Sequence, residues 1–475
     1  MIQTLQRAAA RLLSVIGITL ILFTGCSKEH KPEAEKSRIF ADGGKKLFAM
    51  HYKRHPETRA TVLDSAIFVL EEAIRLDPGN TEAHYFLAEA ISRRNFKADQ
   101  VYSSQYKTEL NYFALRTAAN HYLKAYQEEG GYTGDGNVLW PWEKLSTEWG
   151  NVALAYLVNG DSTKAIATLR EATDFGGFDA AFLEFSRNYL ISCPDSAILF
   201  TNADMDTYGL LYLQLVEGYR PDVLLVNLSL LNMDRYIKWQ RKVGLPLPLS
   251  DTQIDSLQPN VLAIGRVVYI YDKIIRIVEA TAKRPICFTV NVSPQTLSDY
   301  DNRLALEGLV YRLENSPSIG MDTQLNLKLF KEMGFDHLPR EMGIPGNGSL
   351  DRIAINDGTL GIQLGSALLS QGNLAGAVEV ADILTGKLPW TWPTDAFSAS
   401  IYAAANRPED VEKLWKQSYE REPENAEMIA LFVSHFQRMG MQSRAEQILT
   451  KALRSSKSDS LRIELRELVG DIVDR

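Results

Sequence analysis

The sequence predicts a mostly α-helical chain in which helical hairpins flank a central α/β module. Three observations predict it. Small and large apolar residues recur at helical spacing with a period of 34 residues towards the C-terminus. The same spacing appears in the N-terminal third, and between about 196 and 345 it gives way to short branched runs separated by single helices. At 475 residues and 45% hydrophobic content, the chain has room for two or three packed domains.

The N-terminus reads as an export signal over residues 1–25. Arg7 and Arg11 precede an apolar run from Leu12 to Phe23, which is shorter than the roughly 20 residues a spanning helix needs. Thr24 and Gly25 directly before Cys26 resemble the lipobox of bacterial lipoproteins, with Phe23 where Leu is usual. The resemblance implies lipidation of Cys26; the alternative is an ordinary secretory signal with a chance cysteine. Ser27 to Lys36 is polar, charged and contains Pro32, so residues 26–42 are expected to form a flexible tether. Cys26-Ser27-Lys28-Glu29 also resembles the surface-export signal of Bacteroidetes lipoproteins. No later stretch reaches 18 uninterrupted apolar residues, which leaves the lipid as the expected membrane attachment. The net charge of −8 would become about −10 once the leader's two arginines are removed, which argues against a nucleic-acid partner. Cys193 and Cys287 then remain, either bridged or as two buried thiols.

Residues 43–195 are expected to form an N-terminal set of hairpins. Ala66, Leu70, Ala73 and Pro78 place a small, a large and a small residue on one helix face and end the helix with proline. Leu87, Ala88 and Ile91 open the next hairpin, whose second helix resumes after an insertion at Ala118, Tyr122 and Ala125. Past a Gly-rich loop, Gly130 to Gly136, come Trp149, Val152, Ala153 and Tyr156, then Ala165, Leu169 and Ala172. Residues 346–475 repeat the pattern: Ala377, Ala381, Leu384 and Pro389, then Val411, Trp415, Ser418 and Pro423, then Ala445, Leu449 and Ala452. Ala381 and Leu384 exchange the usual sizes. Gly365, Ala399 and Val433 hold the close-packing position of the three first helices. The pattern resembles the tetratricopeptide repeat, in which small residues let paired helices approach and large ones fill the groove to the next pair.

Residues 196–345 form the predicted α/β module. Ala197 to Phe200 and Val223 to Leu228 read as strands around a helix from Thr207 to Val216, a βαβ unit. A helix from Val268 to Ala282, a strand from Ile286 to Val290 and an apolar run from Leu309 to Leu313 follow. The runs from Leu199 to Tyr208, Val216 to Val223 and Val226 to Leu231, then Arg284-Pro285-Ile286, Thr289 to Pro294 and Leu306 to Leu313, resemble the extracytoplasmic C-terminal region of multi-spanning Bacteroidetes membrane proteins related to protein O-mannosyltransferases. The transferase chemistry of that family belongs to its membrane portion and is not carried over. Within the shared region Ala203 stands where the family has Gly, Met205 where it has Asn and Gly209 where Pro is common.

The chemical candidates are few. Asp204-Met205-Asp206 follows a strand and has the spacing of a carboxylate pair that holds a divalent cation; the reading preferred here is that Asp204 or Asp206 caps the helix starting near Thr207, with ligand binding as the alternative. Asn202, Asp204, Asp206 and Thr207 are therefore the candidate ligand-binding residues. His51 and His55 are read as a surface pair on one helix face, and the remaining histidines show no metal-site spacing. Gly343 to Ser349 lacks the lysine of a phosphate loop and reads as a linker. Trp140, Trp142, Trp390 and Trp392 lie in Pro-containing connections, where they pack between repeats or stack on a ligand. Together these features lead us to expect a non-enzymatic scaffold or adaptor without cofactor, lipid-anchored in the cell envelope at the outer membrane. Unidentified envelope proteins would bind on its repeat surface. The alternative is a glycan-binding or accessory protein in envelope glycosylation.

Overall fold

A computed structural model describes residues 33–96, 101–104, 110–127, 141–262, 265–317, 320–339, 348–455 and 459–469. The leader, Cys26, the loop 130–136, Trp140 and most of the 343–349 linker lie outside the described residues. Helices α1 (Glu33–His51), α2 (Pro56–Leu76), α3 (Thr81–Asn95), α4 (Tyr112–Gln127), α5 (Pro141–Val158) and α6 (Ser162–Asp174) pair as three hairpins, each packed on the next. Ala66, Leu70, Ala73, Leu87, Ala88, Ala118, Tyr122, Trp149, Ala153, Leu169 and Ala172 are all buried between them, as their spacing predicts.

The tether expected over 26–42 is corrected from Glu33 onwards, where α1 begins. Its composition is charged, but Ser37, Ala41, Gly44 and Phe48 form a buried stripe of mostly small residues against α2. The Ser37 hydroxyl donates to the Ala73 carbonyl at 2.7 Å, and a Cβ on Gly44 would collide with the Leu70 side chain. Helix α1 is thus the first helix of the hairpin whose second helix is α2. The helix ends at His51 and α2 starts after His55, so the two histidines do not share a face; His51 is buried and contacts the Phe48 carbonyl.

Helix α7 (Ala180–Ser192) leads into the α/β module. Its elements are β1 (Ile198–Thr201), α8 (Tyr208–Leu215), β2 (Leu224–Asn227), α9 (Asp234–Lys242), α10 (Asp251–Asp255), β3 (Asn260–Val261), β4 (Val267–Val268), α11 (Ile270–Thr281), β5 (Ile286–Thr289), α12 (Pro294–Leu297), β6 (Leu304–Glu307), β7 (Val310–Leu313) and α13 (Thr323–Glu332). The main sheet has the order β2-β1-β5-β7-β6, with β1 parallel to β2 and β5, and β7 antiparallel to β5 and β6. Every residue of β1 and β5 is buried, so both read as unbroken apolar runs. The chain leaves β1 towards β2 on one side and returns at β5 on the other. The carboxyl ends of β1 and β5 therefore open at a topological switch point, where α/β sheets place their ligands.

Helices α14 (Gly348–Ser370), α15 (Leu374–Lys387), α16 (Trp392–Ala404), α17 (Pro408–Arg421), α18 (Ala426–Arg438) and α19 (Gln442–Ser455) form three further hairpins, and α20 (Asp459–Val469) packs on α18. A Cβ on Gly365 would meet Phe397 at 2.8 Å, and Ala399 and Val433 are fully buried, so the three in-register positions are the close contacts their spacing predicts. The exchanged sizes of Ala381 and Leu384 are accommodated by Gly361, which leaves the space that Leu384 fills.

The insertion between α3 and α4 reaches the α/β module. The Tyr102 carbonyl accepts from the Arg235 amide at 3.1 Å, and Tyr102 meets the Tyr236 ring edge-on at 6.1 Å. Replacing Gly44 by Val should cost about 1–3 kcal/mol in urea unfolding while leaving helix content unchanged, because the added atoms have no room beside Leu70. An unchanged midpoint would mean that α1 does not pack on α2.

Candidate functional site

Strand β1 ends at Thr201, and the next five residues turn back on themselves around the Asp206 carboxyl. One of its oxygens accepts from the Asn202 amide (2.8 Å) and the Thr289 hydroxyl at the end of β5 (2.5 Å); the other accepts from the Ala203 amide (2.9 Å). The Thr207 hydroxyl donates to the Ala203 carbonyl, meets the Thr201 hydroxyl (2.6 Å) and accepts from the side-chain Nδ2 of Asn227 in β2 (3.0 Å). Asp206 and Thr207 are 3% and 4% exposed, so these bonds are made away from water.

This corrects the expectation that an aspartate caps the helix. Thr207 itself is the N-cap of α8, without a side-chain cap bond, and Asp206 bonds upstream. With β5 alongside, the loop amides and the Thr289 hydroxyl supply the donors that the first helical turn would otherwise have given. Burial pushes the Asp206 carboxyl above its ordinary value, and the donors from Thr289, Asn202 and Ala203 pull back without cancelling it.

Asp204 is half-buried and sits against Tyr208, whose hydroxyl lies between Asn151 Oδ1 (2.5 Å) and the Asp204 carboxyl. The Tyr208 ring lies directly on Gly150 of α5, in space that any side chain there would fill. Burial raises the Asp204 carboxyl; Lys144 of α5 counters. Behind it lies a buried ionic cluster. Lys144 pairs with Glu89 at 2.9 Å, Tyr122 donates to Glu89 at 2.5 Å, and the Ser92 hydroxyl donates to Glu148. Burial pushes Glu148 up to about 7, whereas Glu89, which burial also pushes up, is held below its ordinary value by Lys144 and Arg93.

Above the loop is a cleft of about 360 Å³. Asn202, Asp204 and Asp206 line one wall, Phe185 of α7 and Asn291 another, and Arg352, Ile355 and Asn356 of α14 the third. Arg352 is ion-paired with Glu143 of α5, and Asn356 donates to Asn291 at 3.1 Å, so the cleft joins all three parts of the chain. Of the four candidate ligand-binding residues, Asn202 and Asp204 face it with groups to spare, while Asp206 and Thr207 have spent theirs on holding the loop. Arg352, Asn356 and Phe185 carry no motif, and nothing in the sequence marks them.

A second cleft of about 740 Å³ lies on the other flank of α14, lined by Ile355, Thr359, Ile362, Trp390, Trp392 and Arg421 among others. Trp390 donates to the Asp395 carboxyl at 2.9 Å under the Arg421 guanidinium, 4.8 Å above its ring. Burial lifts Asp395 to about 6, with Ser418 and Trp390 donating to it.

The blocks Val216 to Val223 and Arg284 to Ile286 serve the opposite end of the sheet. Arg220, at φ +46°, donates to the carbonyls of Leu190, Cys193 and Pro194 at the end of α7 and pairs with Asp222, holding that carboxyl well below the usual range. Arg284 donates to the carbonyls of Ser196, Ala197 and Asp222. Their role is to tie the amino ends of β1, β2 and β5 together. Cys193 and Cys287 are buried free thiols. Among the described residues no group of three or more His, Cys, Asp or Glu is placed to hold a metal, and no helix is long and apolar enough to cross a membrane.

The fold and the clefts define a protein of tetratricopeptide-type hairpins carrying an α/β module between two helical arrays. Within it, residues 182–253 match the family model described as TMEM260-associated domain 2, which covers most of α7, the loop after β1, and Arg220 with Asp222. No curated protein matches the chain. Solved structures similar to it include a dimer of human IFIT1 with m7Gppp-AAAA, 12% identical, covering 96% of this chain and 79% of that one at a TM-score of 0.20. Others are the TPR domain of P58(IPK), at 13%, 92%, 98% and 0.18, and Naa15/Naa10 bound to HypK-THB, at 10%, 91%, 80% and 0.17.

Two measurements test this geometry. Asp206→Asn should destabilise nearly as much as Asp206→Ala, by about 2–3 kcal/mol, because an amide turns a donor towards the loop's own donors; a well-tolerated Asn would restore the helix-cap reading. A raised carboxyl pKa favours the folded state at low pH, and this contribution is lost as pH rises through it. The stability of Glu148→Gln relative to wild type should therefore increase from about pH 4.5 to about pH 7 in paired chemical melts, and a flat difference would contradict the burial assigned to Glu148.

Proposed function

We propose that the chain is a protein-interaction scaffold, lipid-anchored through Cys26 in the cell envelope, at the outer membrane. The observation that supports a docking role most is the exposed face of α14, where Ile355 is 51% exposed between the two clefts. A helix from the repeat array that raises the exposed Ile355 as a ridge between a polar and an aromatic cleft suits contact with a partner. The role is one of binding rather than turnover. The amides and carboxyls of the smaller cleft, beside the Phe185 ring, also suit a sugar, which keeps the glycan-binding reading as the second one.

A photo-cross-linking residue at Thr359, exposed beside the ridge, should capture discrete envelope proteins in cells, and one at exposed Phe113 should not. Equal labelling at both positions would argue against the groove. Cys26→Ala should move the chain from the membrane to the soluble fraction, and persistence on membranes after a high-salt wash would contradict the lipid anchor. Binding on a glycan array, lost in Asn202→Ala, would favour the second reading.

A further inference from the structure

The two clefts share Ile355, and the exposed face of α14 between them carries Arg352, Ile355, Asn356, Thr359 and Ile362 at helical spacing. Their chemistry differs. The smaller cleft is acidic: Glu143, Asp204 and Asp206 line it against one cation, Arg352, which Glu143 already pairs. Lys144, behind the loop, is paired with Glu89. Among the described residues Asp204 is the carboxyl of this cleft that neither an ion pair nor the loop's own donors take up. The larger cleft is apolar, walled by Ile355, Ile362 and two tryptophans, with Arg421 and Glu422 of opposite sign at its rim.

We infer that the clefts form one site for an extended peptide segment of a partner, carrying a cationic residue about three positions from a large apolar one. This names the ligand of the scaffold reading and rests on it. A segment crossing one helix covers about 10 Å, which three extended residues span at about 3.3 Å each. The cation enters beside Asp204, where an anion would be repelled, and the apolar side chain leaves water between Trp390, Trp392 and Ile362. The segment's free backbone groups meet the Asn202 side chain and the Asn356 carbonyl oxygen, since the Asn356 amide nitrogen is already bonded to Asn291.

The test uses capped octapeptides of Ser and Gly bearing one Lys and one Phe at separations of one to six, titrated by fluorescence anisotropy against the detergent-solubilised full chain. Binding should be tightest at a separation of three, and weaken at least about tenfold when Lys becomes Glu, when Phe becomes Ser, or in the Ile355→Arg protein. That substitution lies at an exposed position and should leave the melting temperature unchanged, which separates lost binding from lost folding. Binding indifferent to charge and spacing, or none up to about 1 mM peptide, overturns the site. If Thr359 still cross-links partners in cells while the peptides fail, the scaffold stands and this ligand class falls. Spacing-dependent binding without any cross-link supports the site and places the failure in the scaffold reading.

Discussion

A carboxyl group buried where three strands end is the interaction on which the rest depends. Removing Asp206 from water is costly, and the cost is met because the Asn202 and Ala203 amides and the Thr289 hydroxyl would themselves be unsatisfied without it. Those three donors belong to the loop after β1 and to the end of β5, and Thr207 extends the network to Asn227 of β2. The carboxyl ends of β2, β1 and β5 are thereby held in one arrangement. The loop this fixes sets Tyr208 on Gly150 of the N-terminal array, and the cleft above it is closed by α14 through the Glu143–Arg352 and Asn291–Asn356 pairs. Neither helical array has to contact the other extensively for the three parts to keep a common geometry.

What the sequence disclosed follows from which forces leave a periodic trace. Packing between hairpin helices demands small residues at fixed intervals, so Ala66, Ala73, Ala399 and Val433 could be placed from spacing alone. Strands β1 and β5 were legible because burial on both faces makes an unbroken apolar run. Helix α1 was hidden, since its buried stripe is Ser37, Ala41 and Gly44, residues that also suit a flexible tether. Helix α9 was hidden by its charges, and β6 by a length of four residues with alternating burial. The direction of the Asp206 side chain was illegible for another reason: whether it bonds forward into α8 or back into the loop depends on Thr289, which lies 83 residues away.

The candidate site shows the same division. Asn202 and Asp204 were visible because they follow a strand and precede a helix. Arg352 and Asn356 were not, because they join the cleft only through tertiary packing of a helix whose own sequence reads as an ordinary repeat. The family-like runs separate in space: Leu199 to Tyr208 and Thr289 to Pro294 shape the cleft at the carboxyl ends of the strands, and Val216 to Val223 with Arg284 to Ile286 fasten their amino ends. Resemblance in sequence therefore marks both a binding edge and a structural one, and only the position in the sheet distinguishes them.

The claim that a buried Asp206 network orders the junction is tested most directly by hydrogen exchange. In the wild-type chain the amides of Asn202 and Ala203 should exchange as slowly as those of Leu199 and Phe200 in β1, although Asn202 itself is exposed. In Asp206→Asn those two amides, and those of the turns of α14 around Ile355, should exchange faster while α16 to α19 keep their protection. Loop amides that exchange at solvent-like rates in the wild type, or a variant indistinguishable from it, would contradict the account.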